Sequence, residues 1–424
     1  GVTMVNRFRW LLGAALLWAV SAVANDVPEN IRKDKEAVMA IDKKATADFA
    51  AGKALLKKLQ LQVAQRQMVT DRTYVFPRSQ TKYSGRLYQN HYKWHLRPLF
   101  ANRTLWDDTP SDHKIASFRK TFELYRLYDL DGYATFAWPG AGEFDRTFRR
   151  LYEAAAADKL DPKSFHLIFE ISSSPSYADI EECKLKMMTE NPYTFRVGGK
   201  CLISSYVMDA WTPTQIEVYL KKWREKVGDK IAFIPQMHLG GLTDAAGRRT
   251  NILDLADIYR QYGSIPASQI ERMMEYLRSY ARVCDGLYVT APGSNPDLTL
   301  DDAFYREVIC PVFAAVLAEP EFNGRKLFAM AAATGYTGYH GGQIKSREGT
   351  ATLRKHFELI REFKPDVVVC PEWDELNEDT GFQPHVHNPM SSLRIIRYYM
   401  ATLKNRPPTP VPGDDTALPN LIVS

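Results

Sequence analysis

The sequence predicts an α/β protein built as a (β/α)8 TIM barrel preceded by a short helical N-terminal segment. Three observations carry that expectation. Short runs rich in β-branched and aromatic residues recur from about residue 72 onward, amphipathic helical stretches separate them, and there are eight such runs. They lie at 72–77, 132–138, 165–171, 201–207, 231–236, 286–290, 326–331 and 366–370. Between them the apolar residues keep helical spacing. Ile216, Leu220, Trp223 and Val227 share one face, and so do Leu353, Phe357 and Ile360. Thr212-Pro213 and Gly349-Thr350 have the chemistry of helix starts. An open Rossmann-like sheet is the alternative to a barrel, but no Gly-x-Gly-x-x-Gly follows any of the runs.

Upstream of the barrel the chain changes character twice. Met4 to Arg9 is short and basic, Trp10 to about Val20 is apolar, and Ala22-Val23-Ala24 has the small-x-small pattern of a cleavage site. Residues 1–24 are therefore expected to be a signal peptide, because the apolar stretch is short of the roughly 20 residues that a membrane span needs. The protein is expected to be secreted or periplasmic, with no membrane attachment after cleavage. Residues 25–71, rich in Lys, Ala and Leu, read as one or two solvent-exposed helices, and 72–424 as the catalytic barrel.

Composition removes several classes of function. At 45% hydrophobic and 25% charged over 424 residues, the chain is neither disordered, collagenous nor a multi-span membrane protein. The net charge of +5 is small and the basic residues form no concentrated run, so no nucleic-acid partner is expected. The five cysteines make no Cys-x-x-Cys pair and no metal spacing; a single disulfide such as Cys183–Cys201 is compatible with the sequence.

Barrel enzymes place their chemistry at the carboxyl ends of the strands. Those ends here carry Trp138, Glu170, Tyr206, His238, Thr290 and Tyr336, followed by the run after Cys370. Glu170 reads either as an acceptor for a sugar hydroxyl or as a salt-bridged structural acid. Tyr206 and Tyr336 read as substrate-binding or as barrel-closing residues. The first βα loop, about 78–111, is long and holds Tyr83, Tyr88, His91, Tyr92, Trp94, His95, Phe100 and Trp106. Such rings stack on sugars, or else form a small core under the loop. The loop at 237–264 is also long.

The sharpest feature is Val367-Val368-Val369-Cys370-Pro371-Glu372-Trp373-Asp374-Glu375-Leu376-Asn377-Glu378-Asp379, in which a buried strand runs straight into five carboxylates. Acids this close repel, which raises some of their pKa values unless they are solvated or hydrogen-bonded. Glycoside hydrolysis needs one protonated and one ionised carboxyl group. Glu375 and Glu378 are three residues apart, so a helical or turn conformation brings them to one side. They are the candidate catalytic pair, with Trp373 and Asp374 as candidate substrate contacts.

This run, with Gly349-Thr350-Ala351-Thr352-Leu353-Arg354 and Lys364-Pro365-Asp366 before it, resembles the last two barrel units of glycoside hydrolase families 71 and 99. In that group a Thr-Trp-Asn-acid-x-x-Glu-like run ends the final strand, and its two acids line the active site. Trp373 matches the motif tryptophan, Glu375 the first acid and Glu378 the second. Asp131-Gly132-Tyr133 resembles the group's lead into strand two. Departures are Asp374 in place of Asn, Glu372 in place of Thr, and Asp379 in place of Gly or Ser; all leave the acid pair intact. The resemblance implies an endo-acting hydrolase of an α-linked polysaccharide, an α-glucan or an α-mannan; no metal or other cofactor is expected, since no metal-ligand spacing accompanies the acids. A non-catalytic carbohydrate-binding barrel is the alternative of a different class. A metal-dependent hydrolase using Asp374, His385 and His387 is a third, and the sequence holds no matching set of further histidines.

Overall fold

The structure, a computed structural model, describes residues 29–79, 111–137, 143–172, 179–206, 211–237, 242–243, 249–250, 252–290, 302–337, 344–374, 380–384 and 390–413. Eight parallel strands close on themselves: β1 (Tyr74–Ser79), β2 (Gly132–Ala137), β3 (His166–Ser172), β4 (Lys200–Tyr206), β5 (Ile231–Met237), β6 (Gly286–Val289), β7 (Leu327–Ala331) and β8 (Val367–Cys370). Each pairs with its neighbour in sequence, and β8 returns to β1 in a register running from Tyr74↔Val367 to Pro77↔Cys370. The fold is the predicted (β/α)8 barrel, and each predicted run overlaps one strand.

The helices are α1 (Glu29–Val63), α2 (Ser111–Leu127), α3 (Glu143–Ala157), α4 (Glu182–Glu190), α5 (Pro213–Val227), α6 (Ile252–Tyr262), α7 (Ala267–Val283), α8 (Cys310–Leu317), α9 (Ala351–Phe363) and α10 (Ser391–Leu403). α5 begins where its sequence says it should. The Thr212 hydroxyl accepts the Gln215 amide, the Gln215 side chain accepts the Thr212 amide, and Pro213 needs no partner for a missing N–H. Its apolar stripe, Ile216, Leu220, Trp223 and Val227, is buried as expected, with the Trp223 ring edge-on to Phe233 of β5.

Two apolar layers result. Outward-facing strand residues such as Val75, Phe169, Phe233 and Val368 pack against the helices, while Phe76, Ala134, Ile168, Leu202, Ala232, Ile234, Ala329, Val367 and Val369 fill the barrel. Small alanines among the bulkier side chains suit the narrow interior of an eight-stranded barrel. Phe195 seals the amino end, its ring 4.9 Å from Tyr74, 5.2 Å from Phe76 and 5.3 Å from His166. Phe195 precedes a two-residue strand, Arg196–Val197, that folds back antiparallel on β4 through Gly198 and Gly199. Both glycines have positive φ, +57° and +82°, as this tight hairpin requires.

Register at the amino end is set by a repeated device. Asp131, Asp285 and Asp366 each stand just before an even-numbered strand. Their carboxylates accept the amides of Val75, Phe233 and Phe328 in the preceding strand, at 2.9, 2.9 and 2.8 Å. Asp366 also takes the amides of Val69 and Thr70 and the guanidinium of Arg66, while Arg72 forks onto Asp131. The segment leading from α1 to β1 is thereby laid across the barrel floor.

α1 covers α7 and α8. Leu56 and Leu59 are buried, Gln62 donates to the Ala315 carbonyl, and the Asp48 carboxylate accepts from Ser268 at the start of α7. None of the described helices is long and apolar enough to cross a membrane. All five cysteines are free thiols, so the disulfide that the sequence allowed is not formed.

Candidate active site at the carboxyl end of the barrel

β1 ends in Arg78 and Ser79, and the strand pleat sends them opposite ways. Arg78 follows Phe76 into the barrel; Ser79 faces the outer layer. Each meets a carboxylate from the segment that continues β8. One arm of the Arg78 guanidinium lies 2.9 Å from Glu170 of β3, and the other pairs with Glu372. The second oxygen of Glu170 accepts from the Ser204 hydroxyl of β4 at 2.9 Å. The Ser79 hydroxyl donates to Asp374. Between these two side-chain contacts the Trp373 amide donates to the Arg78 carbonyl at 2.5 Å. Residues 372–374 are therefore joined to residues 78–79 by three consecutive interactions.

The same segment is held from its other side. The Phe382 and Gln383 amides each donate at 3.0 Å to the carbonyls of Glu372 and Trp373. Thr334, just beyond β7, donates to the Thr380 carbonyl at 3.1 Å, and Arg347 to the Gly381 carbonyl at 3.2 Å. Both chain ends flanking residues 375–379 are thus fixed at the barrel mouth.

Burial gives this layer its electrostatic character. Arg78, Glu170 and Glu372 are all nearly inaccessible to water, two carboxyls to one guanidinium. An excess negative charge without solvent is costly, and the cheaper state keeps a proton on one acid. Glu372 holds it: burial pushes its carboxyl up to about 7, with Arg78 opposing and Asp374 and Glu170 adding to the rise. Its Oε2 has no hydrogen-bond partner among the described residues, and neither has the hydroxyl of Tyr288, which points inward from β6. Burial also holds the Tyr288 phenol well above its ordinary range. A buried carboxyl pushed up to about 7 beside a guanidinium and two further acids is an environment in which protons are held and exchanged.

The sequence-predicted residues fall into groups. Glu170 sits in the buried layer with both oxygens engaged. Trp373 is buried with its ring edge-on to Tyr125 at 4.8 Å, and Asp374 is buried on Ser79. Tyr336 is half-buried on a small hairpin, pairing with Lys345, beyond β7. Tyr206 closes β4, and its side chain lies outside the described residues, as do Glu375, Glu378, Trp138, His238, His385 and His387. Among the described residues no three His, Cys, Asp or Glu side chains gather as a metal site.

Arg78, Ser204 and Tyr288 were not singled out from the sequence. For Arg78 a signal existed: Tyr74, Phe76 and Arg78 are successive inward positions of one strand, and an arginine at such a position needs a buried acid.

No protein-family model and no curated protein sequence matches the chain. Two solved structures of the GH99 endo-alpha-mannosidase from Bacteroides thetaiotaomicron match it. One, in complex with bis-tris-propane, has a TM-score of 0.55 at 12% identity; the other has 0.53 at 13%. Each comparison covers 78% of this chain and 98% of the enzyme chain. The fold of this chain is the GH99-like (β/α)8 barrel.

Proposed function

We propose that the protein is a glycoside hydrolase, endo-acting on an α-linked polysaccharide, either an α-glucan or an α-mannan, with Glu375 and Glu378 as its carboxyl pair. One observation carries this reading. The acid-bearing run leaves β8 at the carboxyl mouth, and both of its flanks are tied to the barrel, by Arg78 and Ser79 before and by Thr334 and Arg347 after. Barrel enzymes work at this face. The GH99-like fold supports the same class, as does the match of Trp373, Glu375 and Glu378 to the family's acid run.

In this reading one acid of the pair protonates the departing glycosidic oxygen, and the other acts as the base or base-like participant. Trp138, Tyr206, His238 and Tyr336 supply substrate contacts around the mouth; Trp373, Asp374 and Glu170, expected from the sequence as further contacts, are buried and brace the layer beneath it. No metal or cofactor enters the reaction. The polysaccharide is met outside the cytoplasm, after removal of residues 1–24.

The test is reducing-end release from a panel of α-glucans and α-mannans by the parent protein, Glu375→Gln and Glu378→Gln. The expected result is activity on one polymer that falls at least about a hundredfold in both variants. Activity surviving both substitutions removes the pair from the chemistry. Glycan binding without release by the parent makes the protein a carbohydrate-binding barrel instead.

A further inference from the structure

We propose that Arg78 and Glu372 form a positioning pair for this reaction, fixing the start of the run that carries Glu375 and Glu378 and setting the charge beneath it. The inference rests on the hydrolase reading and deepens it. Its ground is placement. The barrel layers below are filled with Phe76, Ala134, Ile168, Ala232, Ala329 and Val367, and above them, among the described residues, stand Arg78, Glu170 and Glu372.

Stability alone explains this layer poorly. A buried ion pair is on balance no better than well-packed apolar residues of the same volume, and this one carries a surplus carboxyl. What an apolar layer lacks is direction. Arg78 ties β3 and the β8 extension to β1 with one planar fork, and its carbonyl takes the very next amide, that of Trp373. Glu375 follows Glu372 by three residues in sequence, and the pair fixes residues 372–374, from which the acid run departs.

The charge state of the layer is equally defined by what surrounds Glu372. Arg78 pairs with it from β1, Glu170 of β3 and Asp374 on its own segment add negative charge, and the buried phenols of Tyr133, Tyr288 and Tyr125 lie within its electrostatic reach. Arg78 is the one cation in that set. Ionisation of Glu372 completes the pair with Arg78 and adds a negative charge to this buried layer. Glu372 acts through its neighbours and not on the substrate.

The decisive variant is Glu372→Gln, which keeps the length and an oxygen for Arg78 while removing the charge. On a polymer that the parent cleaves, kcat should fall about tenfold or more with KM within about threefold. The pH profile of kcat should lose an inflection near neutrality that the parent shows. A residue that serves only the fold changes neither the ratio of kcat to KM effects nor the profile. If Glu372→Gln fails to fold, Ser204→Ala, which removes the hydroxyl partner of Glu170, takes its place, with a several-fold fall in kcat at constant KM. Unchanged kcat and an intact inflection overturn the proposal while leaving the hydrolase reading standing. Absence of release by the folded parent on every polymer overturns both, and is seen before any variant is compared.

Discussion

The carboxylate of Asp366 accepts the backbone amide of Phe328 at 2.8 Å, so the residue that introduces β8 holds the second residue of β7. The same carboxylate takes the amides of Val69 and Thr70 and lies 3.3 Å from Arg66, with no exposure to water. Asp366→Ala strands four donors in a dry site. The expected loss is about 3–5 kcal/mol of folding stability, read by urea or thermal unfolding. A loss under about 1 kcal/mol is inconsistent with the hub described.

Glu372 gives stability a pH dependence of predictable sign. Its carboxyl titrates at about 7 in the folded chain against an ordinary value of 4.5. Between those values the folded chain binds more protons than the unfolded one, so stability falls as pH rises through that window. Below it both states are protonated and the effect vanishes. Glu372→Gln should therefore be increasingly more stable than the parent from pH 5 to 8, by on the order of 3 kcal/mol at most. Thermal midpoints of the two proteins across that range measure it. A constant difference between them counts against a raised carboxyl.

Gly52 lies where α1 crosses the loop before α7. A Cβ built there falls 1.9 Å from the Ile265 carbonyl oxygen, a contact that a side chain relieves only by lifting the helix. Gly52→Val should cost about 1–3 kcal/mol and open α1 to limited proteolysis before the barrel is cut. Cleavage at the parent rate shows that α1 is not held at this crossing.

His356 of α9 is buried, and its Nδ1 accepts the Ala333 amide at 3.0 Å. The remaining proton therefore sits on Nε2, which faces Asp302 at 3.5 Å. Burial pushes the imidazole below its ordinary range, with Asp302 opposing. Stability from this site is complete above the ordinary histidine value and is lost as pH falls beneath it. His356→Leu leaves the Ala333 amide unsatisfied at a cost of about 1–3 kcal/mol and should reduce the drop in midpoint between pH 7 and 5. An unaltered drop assigns it to other groups.

The barrel was legible because its strands advertise themselves. Val367-Val368-Val369 and Ile231-Ala232-Phe233-Ile234 have few alternatives to a doubly buried strand, and the helical stripes between them bury as their spacing requires. The polar layer beneath the mouth was less so. Glu170 read equally well as a substrate acceptor or a structural acid, since its partner lies 92 residues away in sequence. Ending the first strand at Pro77 left Arg78 in a loop, where an arginine excites no attention. The Arg196–Val197 hairpin was missed for another reason: two residues are too few for alternation, although Gly198-Gly199 was a turn signal. Glu375 and Glu378 are candidates on local acid density and resemblance and lie outside the described residues; the structure describes the anchors of residues 372–374 and 380–381 on either side.

The floor of the barrel also dictates when the molecule can finish folding. Arg66 waits for Asp366, 300 residues further on, and β1 has no partner on one edge until β8 arrives. During synthesis the nascent chain carries that bare strand edge, with the apolar faces of the early strands, until β8 has emerged. Ring closure is a late, long-range event and therefore slow. Until then the open edge of β1 is the place where a chaperone would protect the chain or a neighbouring copy would capture it.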